Sequence, residues 1–177
     1  MKRIIASFAA MAAFAAAAPA MAGDQNFTPH GGLPLFEGEL AVSQSIVSTN
    51  CDSTFAVSFS NDGKYAAVYA AAFSGTTLCN GLVPSGYPWP ITITTPNASS
   101  SGLASKLRID NIYIKTSAGY CNGGVDANMV APGVGSIVFN NATLPGKIKV
   151  GLIEVNASCQ ITGSLAPNQA IVAERLP

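Results

Sequence analysis

The segment "STFAVSFSNDGKYAAVYAAAF", residues 53–73, decides the fold. Its first arm alternates apolar with small or polar residues through Phe55, Val57 and Phe59. A period of two residues is typical of a β-strand with one buried face. The second arm continues the pattern, with the alternating residues Tyr65, Ala67, Tyr69, Ala71 and Phe73. Two such arms joined by a short polar segment predict an antiparallel β-hairpin.

Asp62-Gly63 is the expected turn of this hairpin, because this dipeptide accepts the positive φ angles that tight hairpin turns need. The pattern does not settle the register of the two arms. A two-residue turn places Phe59 opposite Ala66, whereas a three-residue turn places it opposite Tyr65. Both alternatives stay open.

Segments with a period of two also occupy much of the chain on both sides of the hairpin. They are "FEGELAVSQSIV" (36–47), "PWPITITTP" (88–96), "KLRIDNIYIKT" (106–116), "GSIVFNNATL" (135–144), "KIKVGLIEV" (147–155) and "SCQITGSL" (158–165). The phase changes near Asp110-Asn111, which predicts a β-bulge. Residues 147–155 are interpreted as a strand that also changes phase. About seven to ten short strands predict an all-β fold, an antiparallel β-sandwich or barrel.

The N-terminus has the pattern of a bacterial secretory signal. Lys2 and Arg3 precede a short apolar, alanine-rich run, and "AMA" at residues 20–22 fits a cleavage site. We therefore expect a signal peptide over residues 1–22, a flexible lead-in over 23–35 and a single β domain over 36–177. No transmembrane segment is expected in the mature chain.

Charge is scarce in this chain and balanced in sign. Nine Lys and Arg residues face nine Asp and Glu residues, and Lys2 and Arg3 belong to the expected signal. Nucleic-acid binding needs a basic surface, so no nucleic-acid partner is expected. The surface is predicted to be polar through hydroxyl and amide groups rather than through ions.

Four cysteines lie in the mature part, at Cys51, Cys79, Cys121 and Cys159. An even number in an exported chain predicts two disulfides. No Cys-x-x-Cys motif occurs, and a single histidine cannot complete a zinc site, so neither a metal nor another cofactor is expected.

A repeated phrase bears on how these cysteines pair. "AAFSGTTLC" (71–79) and "IVFNNATLP" (137–145) align Phe73 with Phe139 and Cys79 with Pro145. The repetition suggests an internal pseudo-repeat with equivalent strands and both phenylalanines buried. Four cysteines permit three pairings, and the repeat favours Cys51–Cys79 with Cys121–Cys159. Pro145 is then expected to end the second strand.

Candidate catalytic residues are few. His30, the only histidine, lies in the expected lead-in, where a general base would lack fixed geometry. Glu37 and Glu39 lie on one side of a predicted strand, and with Asp126 they are the carboxylates a glycan hydrolase would use. Outward solvation of a strand edge is the simpler explanation of the two glutamates. No catalytic residue is assigned, and the protein is predicted not to be an enzyme.

Tyr87 and Trp89, in "SGYPWP" (85–90), are the candidate binding residues. Exposed aromatic rings on a proline-rigid loop can contact sugars or hydrocarbon. Alternatively, Trp89 fills the core, because it is in phase with Ile91 and Ile93 on the predicted strand.

Several phrases occur together in order: "LAVSQSIVSTNC" (40–51), "AFSGTTLC" (72–79), "GYPWPIT" (86–92), "VFNNATLPG" (138–146) and "SCQITGSL" (158–165). In these phrases the chain resembles the PraB family, exported bacterial proteins described as activators of alkane oxidation. The resemblance spans residues 36–165. The chain departs from it in the higher charge around residues 106–115 and 145–155, which puts a shared ligand surface in doubt.

The resemblance implies a non-enzymatic accessory protein, secreted, on the cell surface or in the periplasm. Such a protein would aid contact with hydrophobic substrate or form extracellular matrix. Its partners would be hydrocarbon or another apolar ligand, matrix components, or further copies of itself. The alternative is a self-assembling fibre or pilus-like subunit, in which residues 23–39 add a strand to a neighbour's sheet.

Overall fold

The computed structural model describes residues 25–45, 47–95, 105–130 and 135–175. The signal expected over residues 1–22 lies outside them. The described residues form eleven β-strands and one short α-helix. In chain order these are β1 (Gln25–Thr28), β2 (Leu35–Gln44), β3 (Val47–Phe59), β4 (Ala66–Gly75), α1 (Thr77–Asn80), β5 (Val83–Ser85), β6 (Trp89–Thr95), β7 (Ser105–Lys115), β8 (Gly119–Val130), β9 (Ser136–Val150), β10 (Ile153–Pro167) and β11 (Val172–Arg175).

Eight of these strands form a closed antiparallel barrel. Their order is β7-β6-β4-β3-β2-β10-β9-β8, and β8 pairs with β7 to close the ring. β5 pairs with residues 113–115 of β7 as an extra strand outside the ring. The all-β, antiparallel prediction is confirmed, and of the two architectures left open the structure has the barrel. Closure leaves fewer exposed strand edges than an open sheet would have.

The alternating apolar residues of the strands fill the barrel. Its largest fully buried side chains include Trp89, Phe36, Phe139, Leu40, Leu107, Ile109, Ile137, Leu144 and Leu165. Burying each removes apolar surface from water and contributes about 1.5–3 kcal/mol. The strands therefore share one apolar inner face.

A separate pair of strands, β1 and β11, covers one end of the barrel. Phe27 is fully buried there, and its ring lies 5.4 Å from that of Phe59. Gln25 is also buried: its side chain donates to the Lys64 carbonyl at 2.9 Å and accepts from the Ile93 amide at 3.0 Å. The expected lead-in therefore contains regular structure. Its four-residue strand is too short to show periodicity, and its partner lies at the other end of the chain.

The β3–β4 hairpin has the register of the two-residue alternative, with Phe59 opposite Ala66. The Ser60 amide donates to the Tyr65 carbonyl at 2.9 Å. The loop between these two residues therefore spans residues 61–64, which is longer than a two-residue turn. A register shift after Ala56 also changes the phase of β4. Val68 and Phe73 are buried, whereas Tyr69 is only half-buried. The single alternation predicted from Tyr65 to Phe73 is therefore wrong.

The bulge predicted in β7 is confirmed. The register with β8 shifts between Ile109 and Ile112, and Asn111 has a φ of 60°. The shift lets Leu107 and Ile109 on one side of the bulge, and Ile112 and Ile114 on the other, all lie in the core.

Residues 147–155 form a hairpin rather than one strand. Val150 pairs with Ile153, and Gly151 has a φ of 64° in the two-residue turn between them. β9 runs through Pro145 without ending there, because Pro145 pairs with Ser158 on β10. The expectation of one strand was wrong because a turn between two apolar arms resembles a strand that changes phase, and the expectation that Pro145 ends the strand was wrong as well.

The two repeated phrases share a buried phenylalanine and then diverge. Phe73 and Phe139 are 8% and 1% exposed. After Phe73 the chain forms helix α1, where Leu78 is 41% exposed. After Phe139 it continues in β9, where Leu144 is fully buried.

Both expected disulfides are present, Cys51–Cys79 and Cys121–Cys159. The second joins β8 to β10, although β9 lies between them in the sheet. Its Cα atoms are 5.9 Å apart, while two strand spacings in a flat sheet would be roughly 9.6 Å. The sheet therefore folds sharply around β9 at this level.

Candidate functional site

The barrel has two ends of different character. Because all neighbouring strands are antiparallel, β2, β7 and β9 finish at the same end, here called the upper end. The opposite, lower end is the one that β1 and β11 cover. The candidate site is at the upper end.

Exposed apolar side chains gather at the upper end. Eleven large apolar side chains are exposed among the described residues, and eight of them lie in the upper half. These eight are Val47, Leu78, Val83, Tyr113, Val150, Leu152, Ile153 and Val155. The other three are Leu33, Val130 and Val172. Scattered single apolar residues on a surface are ordinary, so the exposed residues that adjoin each other are the informative ones.

The β9–β10 hairpin supplies half of this group. Its apolar tip, defined as Val150, Leu152, Ile153 and Val155, has exposed fractions of 55%, 107%, 68% and 45% in that order. β10 pairs with β2 only from Cys159 onward, and β9 pairs with β8 only as far as Ile148. The tip therefore extends beyond the paired parts of its neighbouring strands, and no strand of the described chain other than β9 and β10 pairs within it.

The tip is amphipathic because of strand alternation. Val150, Ile153 and Val155 have the same phase as the buried residues farther down their strands, so they share the barrel's inner face. Lys147 and Glu154 lie on the outer face, where their charged groups are 3.5 Å apart. Such an exposed ion pair contributes about 0–1 kcal/mol. The apolar face of the tip thus points over the barrel end.

A small groove lies beside the tip at the same end. It is lined by Val42, Gln44, Val47, Thr49, Leu78, Leu82 and residues 116–118, with a cavity volume of about 30 Å³. That volume holds only one or two water molecules. The Lys149 amide donates to the Ala118 carbonyl at 2.8 Å, which ties the base of the tip to the groove's rim.

Gln44 is the buried polar residue that lines the groove. Its side chain is 5% exposed. Its amide nitrogen donates to the Tyr120 and Lys147 carbonyls, both at 3.1 Å, and its oxygen accepts from the Thr116 hydroxyl at 2.6 Å. A polar group satisfied in this way is stable when buried. The groove is therefore small and carries a buried, hydrogen-bonded amide among its apolar lining residues.

Trp89 lies in the core, and Tyr87 packs against it half-buried. Trp89 is fully buried, and its ring nitrogen donates to the Ser85 carbonyl at 2.9 Å. The Tyr87 ring stacks on it at 4.7 Å, and the Tyr87 hydroxyl accepts from the Ala71 amide at 2.7 Å. Burial raises the pKa of Tyr87 to about 12. Of the two alternatives for Trp89, a surface position and a core position, the structure shows the core position.

The carboxylates considered for catalysis do not form a shared centre. Glu37 and Glu39 are exposed on the outer face of β2. Asp126 lies on β8, three strands away, and contacts Arg108 at 3.1 Å. Hydrogen bonding to Asp126 and the nearby Asp110 charge raise the pKa of Arg108. His30 is exposed and contacts Asn26 at 3.0 Å. Within the described ranges, no group of three or more acidic, histidine or cysteine side chains could hold a metal ion.

The apolar tip was missed from the sequence, although a signal for it exists. "KVGLIEV" places a glycine between two apolar arms of matching phase. A glycine at the first position of a two-residue loop is typical of one kind of hairpin turn. That signal predicts the turn, but it does not show that the neighbouring strands stop short of it.

Comparison with known proteins identifies the family. None of the helices in the described part of the chain is long and apolar enough to cross a membrane. No curated protein and no solved structure is significantly similar to the chain. Residues 1–174 match the family described as "Alkane oxidation protein activator PraA/PraB-like", which confirms the resemblance found in the sequence. The chain, with its closed eight-stranded barrel and two disulfides, belongs to the PraA/PraB-like family of alkane oxidation protein activators.

Proposed function

We propose that this protein is an exported, non-enzymatic accessory protein that contacts hydrophobic substrate through the upper end of its barrel. The observation that carries the proposal is the apolar tip, a projecting hairpin with Leu152 fully exposed and Ile153 68% exposed. Burying one such side chain against an apolar phase contributes about 1.5–3 kcal/mol. Four of them on one projection suffice for adsorption.

The ligand is proposed to be a hydrocarbon surface rather than a single enclosed molecule. The groove beside the tip has room for only one or two waters, and its buried residue Gln44 is polar and fully hydrogen-bonded. Ligand sites for individual small molecules are usually concave cavities of about 300–1,000 Å³. A projecting apolar hairpin suits an extended apolar phase better.

Export is part of the proposal and rests on two observations. The sequence of residues 1–22 has the pattern of a secretory signal. The chain also has two disulfides, which form and persist in oxidising compartments. An accessory protein of alkane oxidation would contact hydrocarbon outside the cytoplasm.

The fibre alternative receives no support from the strand pairing. The segment expected to add to a neighbour's sheet contains β1 and the start of β2. β1 pairs with β11, and β2 pairs with β3 and β10 within the same chain. Neither strand is left over for donation.

Adsorption at an alkane–water interface tests the proposed function. We compare residues 23–177 with a variant carrying Leu152→Ser, Ile153→Thr and Val155→Thr. Threonine keeps the preference for strand, so the hairpin is retained while its apolar face is lost. The fraction adsorbed at equal protein concentration is expected to fall at least tenfold.

The matched control carries Leu33→Ser and Val172→Thr, which are exposed apolar side chains outside the upper half. It should adsorb like the unmodified protein. Equal adsorption by the tip variant and the control would remove the tip from the function. Circular dichroism and intact disulfides establish that both variants are folded.

A further inference from the structure

One strand edge of the barrel remains open beside the apolar tip. Residues 153–158 of β10 have β9 on one side. On the other side β2 begins to pair only at Cys159. Nothing in the described part of the chain pairs with that edge of residues 153–158. The open edge is roughly 20 Å long at about 3.3 Å per residue.

This edge has few of the features that prevent a free strand edge from pairing with another strand. Natural edge strands are blunted by lysine, proline, inward charges or bulges. The segment Ile-Glu-Val-Asn-Ala-Ser contains no lysine or proline, and its pairing with β9 is regular throughout. Its only charge, Glu154, lies on the outer face and is partnered by Lys147. The open edge is therefore a ready template for another strand.

We infer that the open edge pairs antiparallel with the same edge of a second copy of this chain, about a two-fold axis through Val155. In that register Val155 faces its counterpart, and Ile153 faces Ala157 of the second copy. Glu154 then faces Asn156. Opposite residues of an antiparallel pair point to the same face, so the apolar faces of both tips lie on one side of the joined sheet.

Charge and symmetry favour this register. A shift by one residue would place Ile153 opposite Ser158 and turn the two apolar faces to opposite sides. With Val155 on the axis, no like charges are opposed, because Glu154 meets an amide. A two-fold contact uses each edge once and closes at two chains. Pairing would also place two apolar tips side by side, which goes beyond the proposed contact of a single chain with hydrocarbon.

The pairing is expected to be concentration-dependent. Stable protein interfaces bury about 1,200–2,000 Å² in total, and six paired residues on each side supply less. We expect a dissociation constant on the order of micromolar or weaker, so that dimers and monomers coexist in an ordinary preparation.

Sedimentation equilibrium of residues 23–177 tests the inference, with the variant Asn156→Glu. This change places a second carboxylate opposite Glu154 of the other copy, and like charges destabilise a cross-strand pair. Within one chain residue 156 faces Lys147 on β9, so the same change stabilises the hairpin. Association is expected to weaken at least tenfold, and added salt should restore part of it.

Gln160→Glu is the matched control. It introduces the same charge on the outer face of the same strand, but residue 160 is paired with both β2 and β9. It should associate like the unmodified protein. A monomer at all concentrations, equal weakening by both variants, or growth beyond two chains would each overturn the inference. Asn156→Glu leaves the apolar tip intact, so its adsorption to alkane reports on the proposed function separately.

Discussion

At the scale of single residues, two buried glutamines form side-chain hydrogen bonds between distant strands and loops at opposite ends of the barrel. Gln44 is tied to carbonyls and a hydroxyl at the upper end, and Gln25 joins Lys64 to Ile93 at the lower end. Burying an amide costs free energy unless its hydrogen bonds are made. The sequence does not distinguish these glutamines from surface ones, because their partners are 39 to 103 positions away in the chain.

Tyr87 gives a pH dependence whose sign can be stated. Burial raises the pKa of its phenol from 10.0 to about 12, and the Ala71 backbone hydrogen bond opposes this. Between those values the unfolded chain loses the proton while the folded chain retains it. The contribution to stability is thus complete below pH 10 and is lost as the pH rises to about 12. Since the ring is half-exposed, the loss is about 1–2 kcal/mol.

Urea unfolding of Tyr87→Phe across that pH range checks this prediction. The variant should show a shallower fall in stability than the unmodified protein. Tyr113→Phe, which removes a hydroxyl from a ring at the surface, serves as the control. Parallel curves for the unmodified protein and Tyr87→Phe would contradict the assignment.

At the scale of elements, the sharp fold of the sheet around β9 depends on Gly146. It pairs with Cys121 on β8 and with Ala157 on β10. A Cβ atom there would lie 2.7 Å from the Tyr120 carbonyl oxygen and 2.9 Å from the Cys159 sulfur. Both are closer than ordinary contact, so a side chain must displace the backbone or the disulfide.

Gly146→Ala is therefore expected to lower the free energy of unfolding by about 1–3 kcal/mol, as overpacking in a core does. Gly81→Ala is the control, because its nearest contact would be the Leu78 carbonyl at 3.3 Å. Urea unfolding with both disulfides oxidised measures the difference. If Gly81→Ala destabilises the protein as much, the crowding around Cys121–Cys159 is not the cause.

The β9–β10 hairpin shows where element boundaries escape the sequence. Its two arms are both apolar, so the change of phase at Leu152–Ile153 fits a bulge as well as a turn. In β7 the same kind of signal at Asp110-Asn111 did mark a bulge, because Asn accepts the positive φ that the bulge requires. The two cases differ in the residue at positive φ, Gly151 in the hairpin and Asn111 in β7, and in where the following residues pair.

At the scale of the whole molecule, charge contributes little to the fold. Three ion pairs are recorded among the described residues, and all involve side chains at least 38% exposed. Exposed pairs contribute about 0–1 kcal/mol each. The barrel is held by its apolar interior and two disulfides, and we expect its adsorption to apolar surfaces to depend weakly on salt.

The predicted export also concerns the whole chain. When residues 1–177 are produced in a bacterium, the exported protein should begin at Gly23, because Ala20 and Ala22 supply the small residues of the cleavage site. Intact-mass analysis of the extracellular and periplasmic fractions measures this. Ala22→Arg should block cleavage and retain the signal. A mature protein that keeps residues 1–22 would contradict the prediction.

The sequence favoured one of three disulfide pairings and left Trp89 open between the core and the surface, whereas the all-β class, the presence of two disulfides and the β7 bulge follow from it directly. Each rests on period-two alternation or on the spacing of a few residue types, which are properties of neighbouring positions. The closure of β8 onto β7, the β1–β11 cover and the projection of the apolar tip were decided only by the tertiary structure. Each depends on which distant strands pair and where their pairing stops, and no local pattern records that.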